Sequence, residues 1–562
     1  MVQQLTTKKP ADAQKQDPSS LQKPVPLKSN YNAKLKIWSG APIQNRFGKD
    51  LSIGELIFKE MERNPELIAQ ISATEETVLT RRELQQNAMR VTSYLRRENI
   101  GQQDIVGLMA RHTTHMAAVA YGCFFNGTPV HCLHKSYELA TIDKLYGLTR
   151  PKIVFCDGDE YEKVKTATAG LDLKIITLRN HKPGSIPIQT ILETPIEDNF
   201  QPTRLELGND QTLAILCSSG TTGTPKAVTI SNSHLIIPTD VKIASSTVQY
   251  TYSTLDWISG LIMILMAGAF STTSIVADNE FDPGFVCHLI EKYKVALLFA
   301  SSPHAAKLGN SKEFESADLS SLKYFFYGGA NCSLDVQQRI RHRIGRNILH
   351  FGYGITELNA SIGINFNYDG KPNSVGRPLS GVQVKVLAKD GSLRGPNEVG
   401  ELCVYNGQHW SGYYGNPEES ASVKDADQWL HTGDLGYLDE DGYIFIVDRI
   451  KDMLKYQNHM YYPSDIEKVI AEIPDVVEAC VFGIFRAENG DEAAASVLLK
   501  EGSTLQAQDV VDFVERHIEA KYKQLNGGAL IVEDLMRSAN GKTNRRATKA
   551  HFLKVTNTRE DK

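Results

Sequence analysis

Cys217-Ser218-Ser219-Gly220-Thr221-Thr222-Gly223-Thr224-Pro225-Lys226 is the stretch on which the reading of this chain turns. It follows Leu213-Ala214-Ile215-Leu216, an apolar run that reads as a buried strand entering a turn. Seven of the nine residues from Ser218 to Lys226 are Ser, Thr or Gly, and a lysine closes the run. Hydroxyls, close-approaching backbone N–H groups and one cation suit an anion, and a polyphosphate is the natural guest. A Walker-type loop requires Gly-Lys-Ser/Thr, whereas Lys226 stands between Pro225 and Ala227. A plain flexible loop is the competing reading.

Around this loop, 562 residues are too many for one hydrophobic core, so two or more domains are expected. With 41% hydrophobic and 23% charged residues and a net charge of −5, the composition is that of a soluble globular protein. No strongly basic domain calls for nucleic acid. Eight cysteines are scattered singly, without a C-x-x-C pair, which argues for a reducing compartment and against a zinc ribbon or disulfide framework. His112/His115 and His131/His134 have i, i+3 spacing but no further ligands nearby, and read as ordinary surface or loop histidines. The most apolar run, Ile258–Phe270, has 13 residues. A membrane span needs ~20, so it reads as a buried core helix.

Residues 1 to about 37 are dominated by Lys, Gln, Pro and Ser and read as a disordered polar tail. A transit peptide would be Arg-rich, whereas the bases here are nearly all Lys. From Leu51 onward, helical periodicity at Ile53, Leu56, Ile57 and Met61 and over Arg82–Asn99 gives way to apolar runs at Ile105–Met109, Pro129–Leu133 and Ile153–Cys156. Helix-like stretches separate those runs, so the pattern predicts helix-covered parallel sheets with ligands at the carboxyl ends of the strands.

Further on, the strand-like Tyr324–Tyr327 ends in Gly328-Gly329-Ala330, and Phe351-Gly352-Tyr353-Gly354-Ile355-Thr356-Glu357 follows. These glycines permit close backbone approach to a nucleotide, Tyr353 offers a flat face to a base, and Glu357 a hard oxygen for Mg²⁺. Asp434, after the tight Gly433 turn, is shaped to chelate two vicinal hydroxyls. Asp448-Arg449-Ile450-Lys451-Asp452 reads as a solvated linker. Residues 459–562 read as a small α/β unit: helix Ser464–Glu472, strands Val476–Gly483 and Ala494–Leu499, and helix Ala507–Lys521. Near its end, Gly541-Lys542-Thr543 invites a second Walker reading, which fails because the first glycine would be Met536.

In this order, the motifs resemble those of the adenylate-forming (AMP-binding) superfamily, in the acyl-CoA synthetase and luciferase-like branch that includes 4-coumarate–CoA ligases. The resemblance covers roughly residues 46 to 550. The family loop reads Ser/Thr-Ser-Gly-Thr-Thr-Gly-x-Pro-Lys-Gly, and this chain departs from it at Ala227. Such a resemblance implies an α/β fold: a large N-terminal domain of helix-covered parallel sheets with a β-barrel-like subdomain (residues 46–448), preceded by the polar tail (1–45). A small mobile α+β C-terminal domain (449–562) would carry the catalytic lysine.

The resemblance also implies roles for individual residues. Lys542 is the lysine that bridges a carboxylate and the α-phosphate of ATP. Ser218, Ser219, Gly220, Thr221, Thr222, Gly223, Thr224 and Lys226 hold the phosphates. Gly328, Gly329, Ala330, Gly352, Tyr353 and Gly354 hold the adenine. Thr356 and Glu357 belong to the same motif, with Glu357 on Mg²⁺, and Asp434 and Arg449 hold the ribose. Trp257 lies in the acyl pocket, Lys451 at the interdomain hinge, and Lys455 and Tyr456 on the coenzyme A side. Asn458 stands where a thiol-channel glycine is expected, and Met536 where proline is usual.

The implied activity is a two-step acid–thiol ligase acting on a fatty or similarly apolar acid, with ATP, Mg²⁺ and coenzyme A. A luciferase-like oxygenase and a catalytically impaired paralogue are the alternatives. A cytoplasmic location is expected, because the chain ends Arg559-Glu560-Asp561-Lys562 rather than in a Ser-Lys-Leu peroxisomal signal.

Overall fold

The computed structural model describes residues 27–43, 51–218, 225–235, 243–330, 332, 334–358, 360–457, 459–538 and 541–561. Ser219, Gly220, Thr221, Thr222, Gly223, Thr224 and Asn458 lie outside the described residues, as does most of the expected tail.

Two helix-covered sheets build the large domain. Among the described residues one has seven strands, in the order Lys226–Ser231, Thr212–Ser218, Val130–Cys132, Val106–Met109, Ile153–Cys156, Lys174–Thr177 and Ile186–Pro187. The first of these returns antiparallel to the second, while the others run parallel. Nine strands form the other sheet, with Val248–Thr251, Leu297–Ser301, Tyr324–Gly328 and Leu349–Ile355 as parallel neighbours in its middle. Buried apolar runs of four or five residues fit strands that are covered on both faces.

Helices Ile53–Arg63, Arg81–Arg97, Met116–Asn126 and Ile258–Phe270 share one core with strands of both sheets, and so form the layer between them. Reciprocal capping boxes set the start of the first two: Ser52 with Glu55, and Thr80 with Glu83. Every residue of Met116–Asn126 is buried, as a helix enclosed by two sheets requires. Helices Pro283–Tyr293, Ser302–Gly309 and Leu334–Ile344 contribute to a second core behind the nine-stranded sheet. Leu139–Thr149 and Tyr161–Ala167 pack behind the seven-stranded one.

Two sequence expectations are corrected. The polar tail does not extend to residue 45: Asn30–Asn32 and Ile37–Ser39 are strands of a six-stranded antiparallel sheet whose other members are Gln383–Leu387, Gly400–Tyr405, Leu430–Leu438 and Ile444–Arg449. Trp38 is 1% exposed in the core of that sheet and stacks on Tyr31. Second, His112 and His131, expected at surface or loop positions, are both buried, His112 in a loop and His131 in a strand. His112 Nε2 bonds the Ser253 carbonyl, His131 Nδ1 bonds Thr149, and burial pushes His131 down to about 3. The departure at Ala227 falls on a buried position, where the methyl group joins the core of Ile215 and Cys217.

The C-terminal unit has its own sheet, in which Gly490–Leu499 pairs with Leu454–Tyr456, Val476–Arg486 and, in parallel, Gly528–Val532. Helices Pro463–Ile470, Ala507–His517 and Arg545–Val555 pack against it. Its junction with the large domain is the short helix Ile450–Asp452. There Ser464 bonds back to Asp448 and Val447, and Arg545 pairs with Asp452 at 3.6 Å. None of the described helices is long and apolar enough to cross a membrane.

Candidate active site

The carboxyl ends of Leu297–Ser301, Tyr324–Gly328 and Leu349–Ile355 open into a cavity of about 920 Å³, closed on its far side by the C-terminal unit. Lys226, Gly328, Gly329, Glu357, Arg449 and Lys542 all line it, so residues separated by more than three hundred positions meet at one place.

Close packing explains the glycines. A Cβ on Gly328 would sit 2.4 Å from the Gly352 carbonyl oxygen of the neighbouring strand. Gly329 has φ +91°, and a Cβ there would lie 2.8 Å from Lys542 Cε. The lysine of the small domain therefore lies against the glycine pair of the large one. Burial, together with Arg449 nearby, lowers the Lys542 ammonium to about 8, while Asp434 and Glu357 act in the opposite sense.

Asp434 is 2% exposed and fully engaged: Arg449 Nε donates to Oδ1 at 2.8 Å and the Tyr353 hydroxyl to Oδ2 at 2.6 Å. Register explains the first bond, because Asp434 and Arg449 face each other across neighbouring antiparallel strands. Thr432 supports the turn by accepting the Asp434 N–H. Tyr353 is thus tied to the carboxylate by its hydroxyl.

Lys226 does not stand alone. It pairs with Glu419 and lies 4.8 Å from the ring centroid of Tyr413, whose hydroxyl donates to Glu357 Oε1 at 2.8 Å. Backbone bonds from Thr229 to Gly412 and from Tyr414 to Ala227 fix the Tyr413 segment against the strand that begins at Lys226. Glu357, with Thr356 beside it on the cavity wall, presents the hard carboxylate oxygen that Mg²⁺ prefers. A single carboxylate shared with substrate phosphates is the usual Mg²⁺ arrangement, so these residues fit that ion.

Trp257 caps the helix Ile258–Phe270, lines the cavity and lies 6.0 Å from the His134 ring. Below it the wall is apolar: Ile258, Ile262, Met263 and Met266 of the helix face Leu297, Phe299 and Phe326 of two strands. Lys451 also lines the cavity; burial and the adjacent Arg449 lower its ammonium. Lys455 and Tyr456 lie outside the cavity wall, on the strand Leu454–Tyr456 of the small domain, between His459–Tyr461 and Gly490–Leu499. Ala330 is held through its carbonyl by the Ser302 hydroxyl at 2.6 Å. Met536 is partly exposed, and its carbonyl accepts the Asn544 N–H, a role that proline would fill equally well.

Residues 57–414 match the model of the AMP-binding enzyme family, and residues 465–542 match that of the AMP-binding enzyme C-terminal domain. The chain is 29% identical over 485 residues to a probable 4-coumarate–CoA ligase 3 of Dictyostelium discoideum, covering 82% of this chain and 88% of that protein. Against luciferin 4-monooxygenase of Photinus pyralis it is 27% identical over 541 residues, 90% of this chain and 96% of that one. ATP-bound MatB from Rhodopseudomonas palustris superposes with a TM-score of 0.81 at 23% identity, over 90% of this chain and 100% of that one.

Proposed function

Because the chain belongs to the AMP-binding enzyme family, we propose that it is an AMP-forming acid–CoA ligase acting on a fatty or similarly apolar acid. The observation that carries this reading is the position of Lys542, at the junction of the apolar wall with the Gly328–Gly329 backbone and the Asp434–Arg449 pair.

In this reading a carboxylate oxygen attacks the α-phosphorus of ATP, the bond to the bridging oxygen breaks, and pyrophosphate leaves with the electron pair. Two anions have to meet, so positive charge is needed where negative charge accumulates. Lys542 supplies it between carboxylate and α-phosphate. Lys226 exchanges Glu419 for the departing phosphates. Asp434 accepts the ribose hydroxyls while Arg449 and Tyr353 hold its carboxylate in place. Glu357 would hold Mg²⁺, which would supply positive charge to the leaving pyrophosphate. The thiolate of coenzyme A then attacks the acyl carbonyl and AMP leaves. For this second step Lys542 withdraws with its domain about Lys451, and the Lys455–Tyr456 strand approaches.

Lys542 also sets a pH dependence. Its pKa of about 8 leaves the ammonium charged below that value and neutralises it as the pH rises through it. kcat/KM for adenylation therefore falls on the alkaline side with an apparent pKa near 8, since that parameter reports the free enzyme. A rate that stays flat across that range would contradict the assignment.

The apolar wall supports a linear chain. Leu297, Phe299 and Phe326 line the opposite side of the same wall, and from Ile258 to Met266 the helix advances about 12 Å at 1.5 Å per residue. That is the extended length of roughly ten carbons joined by bonds of about 1.5 Å. Each methylene buried against this wall contributes ~0.8 kcal/mol, so kcat/KM rises about fourfold per carbon until the wall is filled. Met266→Trp fills the deep end and shifts the optimum to shorter acids. A panel of straight-chain acids assayed for CoA thioester tests this, and an unmoved optimum would place the chain elsewhere.

A further inference from the structure

We infer that His304 is a positioning residue which seats the Gly541–Lys542 turn against the large domain during acid activation. The inference rests on the adenylation reading above and assigns a role to a residue that the motifs do not include.

The lysine turn is closed within its own domain. Ser538 N–H donates to the Lys542 carbonyl at 2.8 Å, Gly541 N–H donates to the Ser538 carbonyl at 2.9 Å, and Arg537 reaches the Gly541 carbonyl at 3.2 Å. Arg537 is anchored in turn by Glu478 at 2.9 Å and Asp534 at 2.7 Å. These bonds shape the turn but say nothing of where it rests on the other domain, and that position decides whether Lys542 reaches the reacting atoms.

His304 supplies the seat. Its Nε2 is 3.4 Å from the point that a Cβ on Gly541 would occupy, so the ring faces the bare α-carbon of that residue with room for no more than one methyl group between them. Gly541 has φ +74°, so the chain presents bare backbone to the ring. The ring is fixed from behind, stacked on Phe281 at 4.2 Å and 16° and set edge-on to Tyr252 at 4.7 Å. Its Nδ1 lies 3.0 Å from Ser301 Oγ, and Ser301 also caps the His304 helix. A side chain packed on three sides and hydrogen-bonded on a fourth holds its rotamer, as accurate positioning requires. One turn along the helix, Lys307 lies 3.8 Å from Asp534, an exposed pair that adds little by itself. Burial, with Lys307 and Arg537 nearby, holds the imidazole down at about 4. The seat is therefore neutral and does not repel the ammonium that follows it.

His304→Ala and His304→Phe, measured in each half-reaction, test the inference. In ATP–pyrophosphate exchange with a fatty acid, His304→Ala is expected to lower kcat by ~10²-fold, the usual effect of a misplacement near 1 Å. The KM for ATP and the rate of thioester formation from supplied acyl-AMP should change little. His304→Phe keeps the stack and the flat surface under Gly541, and should recover most of the exchange rate. Equal loss in both half-reactions, or undiminished exchange in His304→Ala, would overturn the inference. Hydrogen exchange of the peptide carrying Lys542 needs no acid at all. It should quicken in the alanine variant and return to normal in the phenylalanine variant, and no change would again overturn it. If the wild-type protein exchanges pyrophosphate with no acid, the adenylation reading fails, while the hydrogen-exchange result still decides the role of His304.

Discussion

Lys542→Ala is expected to lower ATP–pyrophosphate exchange by on the order of 10³-fold, about the effect of removing one preorganised donor from a developing charge. In the proposed reaction this lysine acts where carboxylate and α-phosphate converge; it lies beside Gly329 and lines the same cavity as the apolar residues. Its loss should leave ATP binding largely intact, because the ribose and base contacts belong to other residues. Thioester formation from supplied acyl-AMP should survive as well, since the proposed second step uses the Lys455–Tyr456 face of the small domain instead. Equal loss of both steps would mean that Lys542 supports the fold of the site rather than the first reaction.

Asp434→Ala is expected to raise the KM for ATP by about 10²-fold, because two charge-assisted hydrogen bonds at ~1.5 kcal/mol or more each are withdrawn. The 2%-exposed carboxylate has Arg449 at 2.8 Å and Tyr353 at 2.6 Å already in place, so it meets the ribose without reorganisation. Asp434→Asn separates charge from shape: it keeps the volume and one acceptor, and its loss should be smaller. Titrating each variant with ATP and measuring binding directly would check the ranking. An alanine variant that binds ATP as tightly as the parent would move the ribose site elsewhere.

Much of this was legible in the sequence wherever chemistry and chain order coincide. Gly328–Gly329, Gly352, Gly354–Glu357 and Lys542 are short motifs whose residue types state their use, and the structure brings them to one cavity, with the buried Asp434 just behind its wall, bonded to the lining Arg449. What remained hidden depends on contacts distant in sequence. Tyr413 meets Glu357 and Lys226 because the 412–414 segment bonds to the strand Lys226–Ser231, and nothing near Tyr413 announces that pairing. His304 lies on a helix whose local pattern serves packing, and its approach to Gly541 crosses a domain boundary. The strands Asn30–Asn32 and Ile37–Ser39 have three residues each, too few to show alternation. They are ordered by pairing with Gln383–Leu387, far along the chain. His112 and His131 misled for the converse reason: an i, i+3 spacing looks like a ligand pair or an exposed helix face, and here it falls on buried loop and strand positions.

The central claim is that this cavity activates an apolar carboxylate with ATP. Its most direct test is ATP–pyrophosphate exchange by the purified protein with Mg²⁺, run across straight-chain acids of increasing length alongside 4-coumarate. The account predicts exchange that climbs with chain length to an optimum near ten carbons, estimated from the roughly 12 Å wall. No exchange with any acid, despite measurable ATP binding, would contradict it and leave a nucleotide-binding protein that does not turn over.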